Sequence, residues 1–168
     1  MVRGLYTSAA GMNAQQNNID VTSNNIANVN TTAFKKDRIE FADLMYQSLN
    51  YTANATSEST NNPTGIDVGL GVGITGIQKS FLQGSLTETG NDLDIAIQGK
   101  GFFQIITPNG DTQYTRNGAL QQGMLEASNV QLVNAMVDLI TAQRAYEANS
   151  KSLQTTDAML QTVNQLKR

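Results

Sequence analysis

Large apolar residues recur every seven positions near both ends of the chain, and this spacing limits what the chain can fold into. Near the N-terminus the repeat consists of Leu5, Met12, Ile19 and Ile26. Near the C-terminus it consists of Leu132, Leu139, Tyr146, Leu153 and Leu160, and Met136, Ile140 and Val163 widen it. A seven-residue repeat predicts long helices that pack along one seam. We therefore predict one helix over about residues 3–29 and another from about residue 128 onward.

The predicted seams are half polar. Ala9, Gln16 and Ser23 follow the first three members of the N-terminal repeat by four positions, where coiled coils usually carry leucine. Ser128 and Asn129 are the predicted N-caps of the second helix, because such side chains accept hydrogen bonds from the first helical turn. Seams of this composition predict that the pairing of the two helices is weak by itself.

The N-terminal helix is almost free of charge, since Asp20 is the only charged residue between Gly4 and Phe34. Helices on a protein surface normally carry charged residues on the face turned to water. Two arrangements fit this composition: an intramolecular coiled coil that holds the two ends together, or a bundle that other copies of the chain complete. The uncharged faces favour the second arrangement, because two helices alone would leave them uncovered.

Between the helices the pattern changes to that of a loop followed by short strands. Residues 50–65 are polar and rich in turn-forming residues, which predicts an extended loop. β-rich runs occupy residues 71–81, 94–99, 102–107 and 112–116, and residues 108–111 have the composition of a hairpin turn. The predicted fold class is α+β, with two long terminal helices paired as a coiled-coil-like inner domain and a small antiparallel β-domain in the middle.

Composition disfavours most chemistry. The chain has no Cys and no His, so it lacks thiolate nucleophiles and the side chain used most often as a general base. Its net charge of -3 gives no basic footprint for nucleic acid, and no apolar run approaches the roughly 20 residues of a membrane helix. We expect no catalytic residue, cofactor, metal ion, nucleic-acid partner or membrane span, and a monomeric enzyme is the disfavoured alternative.

Three groups of residues could be binding sites, and each has a plainer interpretation. The carboxylates of residues 88–94 lack the register of a calcium loop or a matched acid and base, and favour a turn before a strand. The alternating glycines of residues 69–73 have the period of a strand, and no helix follows them to cradle a phosphate. Lys35, Lys36 and Arg38 predict a solvated turn or a contact with a neighbour's carboxylate.

Several stretches of the chain resemble one known family. Residues 19–47 read IDVTSNNIANVNTTAFKKDRIEFADLMYQ and closely resemble the N-terminal signature of bacterial flagellar rod and hook proteins. Residues 94–105, 114–120 and 125–161 are similar to the middle and C-terminal blocks of that family, in the family's order. The polar segment after FADLMYQ is most similar to the distal rod members, and a proximal rod or hook subunit is the alternative.

The resemblance implies a structural role in the flagellar basal body. Members of the family are exported unfolded through the flagellar type III export apparatus without a cleaved signal peptide. They polymerise helically into a tubular drive shaft that crosses the periplasm and the outer membrane. The implied partners are other copies of the chain and the proximal rod, hook and basal-body ring proteins. The implied segments are 1–45 and 123–168 for the inner domain, 46–66 for a polar loop, and 67–122 for an outer β-domain.

In such a tube, amide side chains at the end of the first helix would bond to helix ends and loops of neighbouring copies. These amides belong to Asn24, Asn25, Asn28 and Asn30. The apolar residues of both seven-residue repeats would supply most of the association energy, at about 25 cal/mol per Å² buried. The loop expected to bridge adjacent copies is marked by Tyr46, Gln47, Tyr51 and Pro63.

The chain departs from the family pattern at two places. Ala33 stands where the family usually has glycine, which indicates either a tolerant turn or a slightly different backbone angle. After Leu120 the chain passes almost directly into its C-terminal block, where relatives carry a much longer β-rich stretch. We therefore expect a shortened outer β-domain.

Overall fold

In the computed structural model, which describes residues 2–50, 66–90, 94–118 and 124–166, a helix lies at each end of the chain and short strands lie between them. Helix α1 spans Val2–Ala27 and helix α2 spans Leu132–Leu166. The strands are β1 (Asp37–Asp43), β2 (Tyr46–Asn50), β3 (Ile66–Gly69), β4 (Val72–Lys79), β5 (Leu86–Glu88), β6 (Phe103–Ile106), β7 (Thr112–Thr115) and β8 (Met124–Glu126). The predicted α+β class and both long terminal helices are confirmed.

The described strands form four two-stranded sheets. β1 pairs with β4, β2 with β3, β5 with β8 and β6 with β7, and the last three pairs are antiparallel. The chain divides into two compact units. The first combines Met1–Asn18, Ile39–Gly76 and Ala142–Arg168, and the second combines Ile19–Arg38 and Ile77–Thr141. Each unit therefore contains a part of both helices.

Amide side chains end helix α1. The backbone N–H of Asn28 donates to the carbonyl of Asn24 at 3.2 Å, and the Asn28 side chain donates to the same carbonyl at 2.9 Å. The Thr31 hydroxyl donates to the Asn28 side-chain oxygen at 3.0 Å. A carbonyl of the last helical turn thus receives two donors, which is how a helix end in this position avoids unsatisfied acceptors. Part of the asparagine-rich segment therefore serves the fold of its own chain.

The buried face of α1 lies beside the seven-residue repeat, on the flank opposite to Ala9, Gln16 and Ser23. The buried residues of the helix are Ser8, Ala14, Thr22 and Asn25, all small or polar. Ala9, Gln16 and Ser23, which were expected to share the seam, are exposed. A seven-residue repeat fixes one line of residues along a helix but leaves open which flank of that line is covered. Within one chain these three residues are therefore outside the buried face, and their place in a seam between copies stays a prediction.

Small residues let the two helices approach closely in the first unit. A Cβ atom at Gly11 would lie 2.8 Å from the Asn149 side-chain nitrogen, so the α1 backbone passes directly beside α2 at this point. The buried residue of α2 in this unit is Ala142, and the other buried residue of the helix, Ala135, belongs to the second unit and is also an alanine. Close approach over alanine and glycine buries little apolar surface, because these side chains are small.

Helix α2 begins later than predicted. It starts at Leu132, and the backbone N–H of Ala135 donates to the Gln131 carbonyl at 2.9 Å. Ser128 accepts from the backbone of Val130, which is a local turn, and Asn129 bonds to other segments of the second unit. The prediction of Ser128 and Asn129 as N-caps is therefore wrong.

The strand predictions are confirmed in three of four places. β4, β6 and β7 lie within the predicted runs, and the Thr107 N–H donates to the Asp111 carbonyl at 2.9 Å across the expected turn. Residues 94–99 form no strand. Strands β1, β2, β3, β5 and β8 were not predicted, and β2 with β3 places paired strands at the two ends of the polar segment.

Ala33 adopts a left-handed backbone with φ of 58°, the conformation for which the family's usual glycine is suited. Its N–H donates to the Glu126 carbonyl at 2.8 Å, which holds the turn in place. A residue with a Cβ atom in this region is strained by roughly 1–2 kcal/mol. The turn of the family pattern is therefore kept, with a strained residue in it.

Replacing Ala33 with glycine should raise the free energy of unfolding of the second unit by about 0.5–1 kcal/mol. Glycine relieves roughly 1–2 kcal/mol of backbone strain. The greater conformational entropy of glycine in the unfolded chain offsets about 0.5–1 kcal/mol of that gain. Urea unfolding followed by circular dichroism measures this change. The control is Ala42→Gly in strand β1, which should lower stability by about 0.5–1 kcal/mol. Equal effects of the two substitutions would contradict the assignment of strain to Ala33.

Candidate functional site

The most completely buried charged side chain in the described part of the chain is that of Glu126, which is 2% exposed at the end of β8. One carboxylate oxygen accepts from Lys35 Nζ at 2.5 Å and from the Gly84 N–H at 2.9 Å. The other accepts from Arg116 Nε at 2.6 Å. We call Lys35, Arg116 and Glu126 the charge cluster.

Glycine at position 84 permits this arrangement. A Cβ atom there would lie 2.0 Å from the Ala127 carbonyl oxygen, a distance at which backbone would have to move. Ala127 in turn donates its N–H to the Ser85 carbonyl at 2.8 Å, beside the β5–β8 pair. Because the two backbones are so close, the Gly84 N–H reaches the Glu126 carboxylate.

Lys35 is buried and serves the interior of its own chain. It is 7% exposed, and its ammonium also donates to the Leu82 carbonyl at 2.8 Å. The prediction that Lys35 belongs to a solvated turn or contacts a neighbour's carboxylate is wrong. An ammonium group on a long flexible side chain can reach a carboxylate far away in sequence, and sequence alone does not reveal the pairing.

Arg116 joins the charge cluster to the loop before β6. Its guanidinium donates to the carbonyls of Gly101 at 2.9 Å, Gly99 at 2.6 Å and Ile97 at 3.4 Å, in addition to Glu126. The fixed fork of donors on a guanidinium suits such a set of converging acceptors. Two carbonyls of the predicted strand 94–99 therefore accept from Arg116.

The two cations determine the charge state of Glu126. Burial by itself raises the pKa of a carboxyl group, because it disfavours the charged form. The hydrogen bonds from Lys35 and Arg116, with a further one from Gly84, outweigh burial and hold the pKa of Glu126 below its ordinary value. The carboxylate is therefore ionised at neutral pH, and its partners prevent the large penalty of an unpaired buried charge.

Amide side chains complete the second unit. Asn25 donates to the Asp37 carbonyl at 2.8 Å and accepts from the Asp37 N–H at 2.8 Å, which ties α1 to the start of β1. Asn129 accepts from the Lys36 N–H at 2.8 Å and donates to the carbonyls of Ser80 and Leu82 at 2.8 and 3.0 Å. Both asparagine side chains thus bond to backbone groups of neighbouring segments.

The arrangement is suited to holding chain segments together. Every buried side-chain nitrogen and oxygen atom among the described residues has a hydrogen-bond partner, so the cluster offers no free acid, base or nucleophile to a substrate. In the same part of the chain, no group of three or more His, Cys, Asp or Glu side chains could hold a metal ion. No described helix is long and apolar enough to cross a bilayer.

The interface residues predicted from sequence lie at different depths. The half-buried ones are Leu5, Met12, Ile19, Ile26, Asn28, Leu139, Leu153 and Leu160. The exposed ones are Asn24, Asn30, Leu132, Met136, Ile140, Tyr146, Val163, Tyr46 and Gln47. Asn25 is buried with both amide groups bonded within the chain, and Tyr51 and Pro63 lie outside the described residues. Their role between copies stays a prediction.

Sequence reasoning missed Arg116 and Glu126. One signal was available: Glu126 is the only charged residue between Arg116 and Asp138. An isolated charge in a long uncharged stretch is a candidate for burial with a partner of opposite sign.

Replacing Glu126 with glutamine should lower the free energy of unfolding at neutral pH by about 3–5 kcal/mol, because two buried cations lose their carboxylate. The folded-state pKa of Glu126 lies below its unfolded value, so its contribution is fully present above the ordinary glutamate pKa. It is lost as pH falls through the folded value. The wild-type chain should therefore lose stability in acid, and Glu126→Gln should lack that part of the loss. Urea unfolding from neutral to acidic pH measures both effects.

The matched control is Glu88→Gln, an exposed carboxylate on the paired strand β5. It should change stability at neutral pH by less than about 0.5 kcal/mol and keep the acid dependence of the wild type. An acid dependence that is identical in Glu126→Gln and in the wild type would contradict the role assigned to Glu126.

Family models match both ends of the chain. The model for flagella basal body rod proteins matches residues 5–35, and the model described as flagellar basal body rod FlgEFG protein C-terminal matches residues 121–166. Lys35 lies at the end of the first match and Glu126 lies inside the second. The charge cluster therefore joins the two matched blocks.

Curated FlgG relatives match the whole length, and a hook protein matches part of it. The flagellar basal-body rod protein FlgG of Borreliella burgdorferi is 32% identical over an alignment that covers 100% of both chains. FlgG of Caulobacter vibrioides is also 32% identical, over 99% of this chain and 100% of that protein. The flagellar hook protein FlgE of Treponema pallidum is 43% identical over 71% of this chain but only 25% of its own length.

The alignment with the Borreliella protein is 264 positions long, whereas this chain has 168 residues. That relative therefore contains residues that this chain lacks, which agrees with the shortened middle expected from the sequence. With full-length similarity at this identity and family matches at both ends, the chain belongs to the flagellar basal-body rod protein family.

Proposed function

We propose that the chain is a structural subunit of the bacterial flagellar distal rod, which polymerises helically into the tubular drive shaft that transmits motor torque to the hook and forms the export channel. The full-length similarity to FlgG proteins supports the distal rod. A hook protein is also similar, but over only a quarter of its own length. A hook or proximal rod subunit is therefore the alternative, and the full-length matches favour the distal rod over it.

The observation that carries this proposal is the small amount of apolar surface that the chain buries by itself. Among the described residues the buried hydrophobic set contains three alanines and two larger residues, Ile39 and Val130. Large apolar residues are exposed on both helices and on most strands, and Met45, between β1 and β2, is the extreme at 86%. Soluble monomers rarely leave so much apolar surface in water, and assembly into a polymer would cover it.

The lengths of the two helices support the same proposal. They contain 26 and 35 residues, which corresponds to lengths of about 40 and 50 Å at 1.5 Å per residue. Long helices in a small chain are normally stabilised by packing along an apolar face, since helix formation by itself is weakly favourable. Here the buried face consists of small and polar side chains, so neighbouring copies are the proposed source of the missing contacts.

The charge cluster gives the second unit stability of its own. Its hydrogen bonds join residues 35, 84, 116 and 126 within one chain, and no neighbour is needed to satisfy them. The proposed free subunit therefore has an ordered region around the cluster, and helical ends that become fully ordered on assembly.

The remaining parts of the proposal follow from the family. The inner domain would comprise segments 1–45 and 123–168, the bridging loop 46–66 and the shortened outer domain 67–122. The partners would be other copies, the proximal rod, hook and ring proteins, and the type III export apparatus, with export to the periplasm and outer membrane without a cleaved signal peptide. We assign no catalytic activity.

Electron microscopy of the concentrated chain tests the function. Tubes of indefinite length support it, whereas a closed oligomer would favour a soluble coiled-coil adaptor. Light scattering at rising concentration that shows only a stable, compact monomer would revive the enzyme alternative.

Hydrogen exchange should separate the two parts of the subunit. In dilute monomer, backbone amides of residues 5–28 and 132–163 should exchange quickly, because the helices lack stabilising neighbours, and the same amides should be strongly protected in the polymer. The amides of Ala33 and Gly84 are the internal reference, since the charge cluster should protect them in both states. Strong protection of both helices in dilute monomer would contradict the proposal.

Deleting the bridging segment should soften the tube. Without residues 46–66 the proposed link between adjacent copies is lost, so thermal bending of tubes in electron micrographs should increase while polymerisation continues. The control is an internal replacement of residues 51–65 by a Gly/Ser linker of equal length, which keeps the β2–β3 pair. Unchanged bending stiffness after the deletion would argue against the bridging role.

A further inference from the structure

We propose that Phe81, Leu82 and Phe102 form a docking surface for the beginning of helix α2 of a second copy of this chain. We call these three residues the aromatic patch. The inference rests on the proposed function, since it identifies one contact between subunits of the polymer. The patch and the helix segment both belong to the second unit of their own chains.

The backbone beneath the aromatic patch is held by bonds at every second residue. The Ser80 N–H donates to the Lys36 carbonyl at 2.9 Å, and the Ser80 carbonyl accepts from the Asn129 side chain. The Leu82 carbonyl accepts from Lys35 Nζ at 2.8 Å, and the Gly84 N–H binds Glu126. Polar groups of this segment are thus bonded inward, while the side chains of Phe81 and Leu82 stay exposed.

The loop that carries Phe102 is held as firmly. Gln83 donates to the Ile97 carbonyl at 3.0 Å and accepts from the Gly99 N–H at 2.9 Å, while Arg116 binds the Gly99 and Gly101 carbonyls. Phe102 meets Phe81 edge to face, with ring centroids 5.7 Å apart and an angle of 87° between the rings. This geometry is the preferred one for aromatic pairs.

A rigid exposed aromatic pair is what a binding surface requires. Phe81, Leu82 and Phe102 are 59%, 69% and 49% exposed. Rings that are fixed before binding lose little conformational freedom when a partner covers them. All three buried members of the charge cluster bond to the backbone that carries this surface, although the surface contributes little to the core. Such an arrangement favours a role in recognition over a role in folding.

The area of the patch fits a contact inside a polymer. The three side chains expose on the order of 300 Å², given that an aromatic residue buries 150–250 Å² when fully covered. A stable complex of two free proteins needs about 800 Å² per partner. The patch alone would therefore bind weakly, and would be occupied only where further contacts join the same two copies. A weak contact of this kind keeps the free chain monomeric.

The first turns of α2 offer a matching surface. Val133, Met136, Val137 and Ile140 lie at the i, i+3, i+4 and i+7 positions with which an amphipathic helix enters an apolar site. They are 48–74% exposed. Residues 127–137 contain no charge, and Lys100 is the only charge in residues 95–106. Apolar side chains at the centre of both surfaces are what interface cores contain, and Lys36 and Lys79 lie at the edge of the patch beside Leu82.

The two surfaces are different, which determines the kind of assembly. A contact between unlike surfaces of identical chains leaves one free surface on each end of every pair. Such heterologous contacts continue into an open helical polymer unless the rotation closes a ring. The proposed pairing therefore agrees with growth of a tube and would not stop at a two-fold dimer.

Disulfide cross-linking tests the pairing directly, because the chain has no cysteine of its own. Leu82→Cys subunits are polymerised together with subunits that carry cysteine at one stripe position, either Val133, Met136, Val137 or Ile140, and are then oxidised. Since a disulfide needs Cα atoms within about 7 Å, at least one of these mixtures should give cross-linked pairs of unlike subunits. Asp138→Cys is the matched control, because 100° per residue turns it away from the stripe, and it should give none.

A second measurement uses the patch alone. Leu82→Asp should raise the concentration at which tubes form by tenfold or more, since it places a charge in an apolar contact, while Gln98→Asp in the neighbouring exposed loop should change it less than twofold. Urea unfolding of both monomers verifies that each retains the wild-type fold.

The outcomes distinguish the docking surface from the proposed function. Tubes that form with normal stiffness and give no cross-link from Leu82→Cys to any stripe position would overturn the docking proposal and leave the rod function intact. Cross-links between two Leu82→Cys copies in place of the mixed pair would also overturn it. A chain that forms no polymer at any concentration would overturn both.

Discussion

The carboxylate of Glu126 is the interaction on which the second unit depends. It accepts hydrogen bonds from an ammonium, a guanidinium and a backbone N–H that come from three separate segments. Buried ion pairs add little net stability when both partners are desolvated, but breaking one leaves an unpaired charge in the interior. The chain can therefore bring these segments together in very few ways, and the cluster specifies which of them is adopted.

The physical character of the chain changes between this cluster and the helices. Around Glu126 the polar groups are satisfied within one molecule, so this region can fold without partners. Along α1 and α2 the covered side chains are mostly Ala, Ser, Thr and Asn, and larger residues such as Val133 and Met136 remain in water. A subunit built in this way combines a self-sufficient region with exposed apolar surfaces, and in the proposed polymer other copies would cover those surfaces.

The helices could be predicted from sequence because a seven-residue repeat is a local signal that continues over many turns. The side of α1 that is buried could not, since the covering partner decides it, and the residues that face the partner are small and polar. Short strands such as β5 and β8 were missed because three residues carry almost no periodicity. The charge cluster was missed because Lys35 and Glu126 are 91 positions apart, so that nothing near either residue reveals the other.

The strained turn at Ala33 positions one member of the charge cluster, and the cluster in turn holds the strained backbone in place. The Ala33 N–H binds the Glu126 carbonyl at 2.8 Å, and two residues later the Lys35 ammonium binds the Glu126 side chain. A left-handed residue at position 33 is thus part of the route that brings Lys35 to its partner. Strain of roughly 1–2 kcal/mol persists only where surrounding contacts determine the backbone more strongly than the residue's own preference does. The bonds from Lys35, Arg116 and Gly84 to one carboxylate provide that determination, so the family's turn survives here without its glycine.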